Sequence, residues 1–167
     1  VRLPALGHMG RLKQLYLNSN NLQEMPNLGI EGLPSLTALE LHKNRITAIP
    51  SGYFRGLGAL QRLVVGRNSL KVIGGGIGSC RHLQSLQVEE NELEELPAEL
   101  GRCTGLQVLF VQSNRLPTLP ASMGKLRRLT EVNLAANKLM QITEASEQGW
   151  RRREALTLYD NRLARPP

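Results

Sequence analysis

The chain has 167 residues, carries 21 Lys and Arg against 14 Asp and Glu for a formal net charge of +7, and is 41% hydrophobic. That balance suits one globular domain with a core of its own. It leaves no apolar run near the roughly 18 residues of a membrane span, and two cysteines are too few for a disulfide-built scaffold. Leucine alone fills 31 positions, while Phe, Tyr and Trp together make up 4% of the chain. A core drawn from one medium-sized aliphatic points to one packing environment repeated many times.

In chain order the pattern L-x-x-L-x-L-x-x-N-x-L recurs. The first copy has Leu12, Leu15, Leu17, Asn20 and Leu22, the second Leu36, Leu39, Leu41, Asn44 and Ile46. Leu60, Leu63, Val65, Asn68 and Leu70 follow, then Leu83, Leu86, Val88, Asn91 and Leu93. The fifth copy has Leu106, Leu109, Val111, Asn114 and Leu116, the sixth Leu129, Val132, Leu134, Asn137 and Leu139. The seventh keeps Leu156, Leu158, Asn161 and Leu163 but has Arg153 in place of its first leucine. The asparagines are 24, 24, 23, 23, 23 and 24 residues apart. The variable half of each repeat often carries an apolar residue followed by Pro, as in Met25-Pro26, Ile49-Pro50, Leu96-Pro97 and Leu119-Pro120.

These residues resemble the leucine-rich-repeat family over essentially the whole chain, as a mixture of 23-residue Ras-suppressor-like and 24-residue typical repeats. The resemblance implies an α/β-type repeat solenoid. Its form would be a right-handed horseshoe with a concave parallel sheet of about seven short strands and a convex side of loops and 3-10 turns. The expected division is a single domain, 1–167, with residues 1–11 the tail of a truncated repeat (Leu3, Leu6, Met9) and repeats starting near 12, 36, 60, 83, 106, 129 and 153. With Val at position 1 and a repeat interrupted at Pro167, the chain is expected to be a piece of a longer one, or a subunit with covered ends.

Within L-x-L, alternation on a short strand turns the leucines inward and the central residue outward. The Asn cannot be an ordinary core residue, because a buried amide must find partners. Having both donor and acceptor, it is expected to satisfy backbone groups of the loop leaving the strand. Asn20, Asn44, Asn68, Asn91, Asn114, Asn137 and Asn161 should therefore form a ladder.

Few residues suggest chemistry. Gly74-Gly75-Gly76-Ile77-Gly78 lacks the Lys-Ser/Thr ending of a phosphate loop and is expected at a convex turn, with Ile73 and Ile77 in the core. Cys80 and Cys103 occupy equivalent places in neighbouring repeats, where others have Leu33, Leu57, Leu126 or Trp150, and are expected as buried free thiols. His8, His42 and His82 have no partner at ligand spacing. No catalytic residue, cofactor or metal site is expected.

The outward positions form columns across the sheet. One contains Tyr16, Glu40, Val64, Gln87, Phe110, Asn133 and Thr157, and the next Asn18, His42, Gly66, Glu89, Gln112, Ala135 and Tyr159. A third contains Lys43, Arg67 and Glu90, and a fourth Ala38, Arg62 and Val108. Val108 and Phe110 are expected as an exposed apolar anchor rimmed by Gln87, Gln112 and Asn133, with Tyr16 and Tyr159 at the two ends. Gly66 would leave a gap for a partner's side chain. Glu40, His42, Lys43, Arg62, Arg67 and Glu89 would set specificity. The acidic run Glu89, Glu90, Glu92, Glu94, Glu95 and Glu99 is expected to pair laterally with Arg62 and Arg67. Lys125, Arg127, Arg128, Arg151 and Arg152, with Arg153, should stack on one flank as a docking place for an acidic partner, phosphate or anionic membrane. Nucleic acid is not expected, because basic stretches interleaved with exposed aromatics are missing.

The expected function is a non-catalytic protein–protein interaction module, a scaffold in signalling, binding its partner on the concave face. The alternatives are a regulatory or targeting arm of a larger enzyme or pathogen effector, and a structural subunit of a large assembly. An intracellular, cytoplasmic location is expected from the Ras-suppressor-like repeats and from the absence of any Asn-x-Ser/Thr acceptor.

Overall fold

The computed structural model describes residues 6, 9–27 and 33–164. Leu3 and His8 lie outside the described residues. Seven strands form one parallel sheet in the order β1-β2-β4-β6-β7-β8-β9. They are β1 (Gln14–Tyr16), β2 (Ala38–Glu40), β4 (Arg62–Val64), β6 (Ser85–Gln87), β7 (Val108–Phe110), β8 (Glu131–Asn133) and β9 (Ala155–Thr157). The register pairs equivalent repeat positions: Leu15 with Leu39, Leu39 with Leu63, Leu63 with Leu86, Leu86 with Leu109, Leu109 with Val132, and Val132 with Leu156. A slip of one residue would turn every one of these side chains out of the core, so the leucine pattern itself fixes the register.

A second, smaller sheet pairs β3 (Ala48–Ile49) with β5 (Val72–Ile73) in parallel on the far side of repeats two and three. The sequence pattern gave no sign of it beyond the apolar residue five after each Asn. The far side otherwise consists of 3-10 turns at Ser51–Phe54, Gly75–Ser79, Ala98–Arg102 and Ala121–Lys125. Each is entered from an extended residue, namely Pro50, Gly74, Pro97 and Pro120. The glycine run thus lies in a turn, with Ile77 buried in the core as expected.

Repeat six departs from the expected loops and 3-10 turns, because a short α-helix, α1 (Glu144–Gly149), takes their place. Thr143 stands where its neighbours have Pro, and its hydroxyl accepts the backbone N–H of Ser146 at 3.3 Å. An N-cap with Glu144 and Glu147 in the first turn favours an α-helix over a tighter turn.

The core is continuous from Leu33 to Trp150. Trp150 fills the place that leucine or cysteine holds in other repeats, is fully buried, and donates its ring N–H to Met123 O at 2.9 Å. Cys80 and Cys103 are free and buried, and the Cys103 thiol donates to Ile77 O at 3.3 Å. Burying one leucine contributes about 1.5–3 kcal/mol. Leucines 12, 15, 17 and 22 of repeat one, and 156, 158 and 163 of repeat seven, are only half-buried. In repeat seven Arg153 is exposed, and its guanidinium donates to Glu147 O and Trp150 O, both at 3.4 Å.

The asparagine ladder is present and works between repeats. Asn91 Nδ2 donates to Val88 O in its own repeat and to Val65 O in the preceding one, both at 3.0 Å, while its Oδ1 accepts Leu70 N–H at 2.9 Å. Asn44, Asn68, Asn114, Asn137 and Asn161 accept the N–H of Leu22, Ile46, Leu93, Leu116 and Leu139 in the same way. Asn20 donates to Leu17 O and Asn18 O within its own repeat. The residue before each ladder Asn is left-handed: Ser19, Lys43, Arg67, Glu90, Ser113, Ala136 and Asp160 have φ between 51° and 57°. These residues turn the chain off the strand, and all but Asp160 donate their N–H to the next repeat, as Lys43 does to Gly66 O at 3.0 Å and Arg67 to Glu89 O at 2.8 Å.

Candidate functional site

On the sheet face, equivalent residues of successive repeats stand about 4.8 Å apart. Several expected site residues are already engaged with one another. Glu40 is held from both sides: Arg62 Nε approaches its Oε1 at 3.1 Å, and Asn18 Nδ2 donates to its Oε2 at 3.4 Å. Arg67 pairs with Glu90 at 2.9 Å, which is the lateral pairing expected of the acidic run. Arg62 takes Glu40 of repeat two instead. Gln87 Nε2 donates to Ser85 Oγ at 3.2 Å, and Asn133 Oδ1 accepts Ala135 N–H at 3.1 Å. Such exposed ion pairs stabilise by less than about 1 kcal/mol each, so they orient side chains more than they hold the fold.

Two expectations need correction. Val108 and Phe110 are half-buried, not fully exposed, because strands β6 and β8 press on both sides. They remain an apolar centre on the face, with Gln87 and Asn133 paired to Phe110 in register. Val64, in the same column, is buried at 5% exposure. Gly66 leaves no open gap either, since the carboxylate of Glu89 lies over it in the space a side chain at 66 would occupy. A flexible acidic side chain from the next repeat fills what the missing Cβ left empty. Tyr16 and Tyr159 are exposed at the two ends as expected, at 56% and 70%.

The feature that most marks this face cannot be read from residue spacing. Among the described residues, five buried side-chain polar atoms have no hydrogen-bond partner, and four belong to one column: Asn18 Oδ1, His42 Nδ1, Glu89 Oε2 and Gln112 Oε1. The fifth, the Tyr53 hydroxyl, lies in the core, where burial pushes its pKa upward. An unpaired buried polar atom costs about 1–3 kcal/mol, so three carbonyl or carboxylate oxygens and one imidazole nitrogen at a single template position are an unmet demand for hydrogen-bond partners. The only sequence signal was that this column holds Asn, His, Glu and Gln in four of its seven places.

The basic residues gather on a different part of the surface. Lys125, Arg127, Arg151 and Arg152 line a half-open recess of about 590 Å³ where the turn of repeat five meets α1 of repeat six. Arg128 does not line it. Among the described residues, no cluster of His, Cys, Asp and Glu suits a metal ion, and no helix is long and apolar enough to cross a membrane.

A parallel sheet one short strand per repeat, backed by turns and stitched by an Asn ladder, defines a leucine-rich-repeat solenoid. The family model for leucine-rich repeats matches residues 34–93 and 81–139, and the chain belongs to that family. A comparison with curated proteins finds no match. Among solved structures, a leucine-rich-repeat protein of Leptospira interrogans is similar at 26% identity and a TM-score of 0.88, over 95% of this chain and 40% of that one. A plant peptide hormone receptor, RGFR1 in complex with RGF2, is similar at 31% identity and a TM-score of 0.78, over 93% of this chain and 26% of that one. The chain therefore spans less than half the length of either. The family is generally a binding module and not an enzyme.

Proposed function

We propose that the chain is a non-catalytic module that binds a partner protein on its sheet face, as an extended segment lying across the strands. The observation that carries this reading is the line of unpartnered acceptors at Asn18, Glu89 and Gln112, joined by His42. A polypeptide crossing the column brings N–H groups to these acceptors, and a basic side chain suits the Glu89 carboxylate. Val108 and Phe110 give the same face an apolar anchor beside the polar line. Glu40, Lys43, Arg62, Arg67, Gln87, Asn133, Tyr16 and Tyr159 form its rim. The plant receptor of similar fold, recorded with a peptide hormone, supports a protein ligand for this kind of surface. The two buried thiols support an intracellular, cytoplasmic setting, where cysteines stay reduced. The scaffold and signalling roles belong to the same reading.

Panning a random peptide library on the immobilised protein tests it. Selected peptides should carry Arg or Lys and should lose about tenfold or more in affinity on Glu89→Gln and on Phe110→Ala. Peptides that bind both variants as tightly as wild type would refute the assignment to this face.

A further inference from the structure

We infer that the recess beside α1 is a binding site for an anion bearing two or three linked phosphates, independent of the sheet face. Four cationic side chains, Lys125, Arg127, Arg151 and Arg152, line one cavity of about 590 Å³. Among the described residues none of them pairs with a carboxylate, whereas Arg62, Arg67 and Arg115 each do, with Glu40, Glu90 and Glu92. Glu144 of α1 is held by Gln148 Nε2 at 2.9 Å and by none of the four. Uncompensated like charge gathered around a concavity is a demand for a counter-anion.

The floor shows why the charges converge. A Cβ on Gly149 would strike the carbonyl of Gly124, so the end of α1 lies backbone to backbone on the turn of repeat five. Lys125 directly follows the first glycine, and Arg151 comes two residues after the second. The close approach therefore brings two repeats' worth of basic side chains to one rim over a bare floor.

The chemistry of the lining selects the ligand. Arginine's planar fork matches phosphate oxygens in pairs, and three of the four cations are arginine. A water takes roughly 30 Å³, so a single five-atom phosphate fills a minor part of this volume. Four cations also exceed the charge of one phosphate, and linked phosphates meet that charge in a recess with room for them.

The test is calorimetric titration of the protein with inorganic pyrophosphate and with orthophosphate at low salt. Pyrophosphate should bind saturably and at least about tenfold tighter than orthophosphate, with an affinity that falls as salt rises. Arg127→Gln and Arg151→Gln should each weaken it by about tenfold, as loss of a charge-assisted contact does, while Lys71→Gln, an exposed lysine elsewhere, should not. All these positions are exposed, so the variants should keep the wild-type melting temperature. No saturable binding, equal loss in Lys71→Gln, or equal affinity for both anions would overturn the inference. Sedimentation with phosphatidylserine vesicles without binding of free pyrophosphate would also overturn it, in favour of a membrane surface.

Discussion

The carboxylate of Glu89 lies over the bare Cα of Gly66 in the neighbouring repeat, and its Oε2 is buried without a hydrogen-bond partner. A buried oxygen without a donor is costly to the free protein, and the cost is recovered only when a donor arrives. Glu89→Gln, which keeps the shape and removes the charge, should therefore stabilise the chain by about 1 kcal/mol while weakening partner binding. Urea denaturation of the two proteins measures the first effect. A loss of stability would mean that the carboxylate is already satisfied.

The ladder asparagines should not be equivalent. Asn91 is buried and joins its own repeat to the preceding one through Val65, Val88 and Leu70, whereas Asn20 is exposed and bonds only within repeat one. Asn91→Ala should cost about 2–4 kcal/mol, since it strands several buried backbone groups at about 1–3 kcal/mol each. Asn20→Ala should cost less than about 1 kcal/mol. Equal losses in denaturant titrations would contradict the cross-repeat role.

How far the sequence revealed this molecule follows from what each residue type can disclose. The leucine period exposes the strands, their register and the core, because burial demands the same residue at the same place. The asparagines disclose the ladder for a like reason, since a buried amide must have partners. By contrast, the left-handed turn is occupied by Ser, Lys, Arg, Glu, Ala and Asp, types with no common turn signature, so only the backbone reveals it. Thr143, standing where Pro precedes three of the four other turns, is the sequence mark of α1. The site was half legible. Columns on the face follow from strand alternation, but whether Gly66 is open depends on where one flexible side chain lies. The unpaired acceptors are likewise a property of packing that no spacing encodes.

Ala136 is the clearest place to test the left-handed turn, with φ of 51° and a Cβ that disfavours it. Ala136→Gly removes that steric cost, which exceeds the added chain entropy, and should stabilise by about 0.5–1 kcal/mol. A lower denaturation midpoint would show that the turn is unstrained.

The two thiols give the alkaline limb of stability a defined cause. Burial pushes Cys80 up to about 11, and burial with the neighbouring Cys80 pushes Cys103 up to about 12, from an ordinary 9.0. The unfolded chain thus releases these protons first. Their stabilising contribution is complete below pH 9 and lost as pH rises toward 11–12. A Cys80→Ala/Cys103→Ala double variant, though less stable at pH 8, should lose stability less steeply between pH 9 and 11 in urea titrations. An unchanged slope would assign the alkaline loss to other groups.

The most direct test of the binding face is amide chemical-shift mapping of the ¹⁵N-labelled protein with a peptide selected on it. The account predicts shifts at Asn18, His42, Glu89 and Gln112 and along strands β2, β4, β6 and β7, with Val108 and Phe110 among the largest. Shifts confined to the turns at Ala98–Arg102 and Ala121–Lys125, with the sheet face silent, would contradict it.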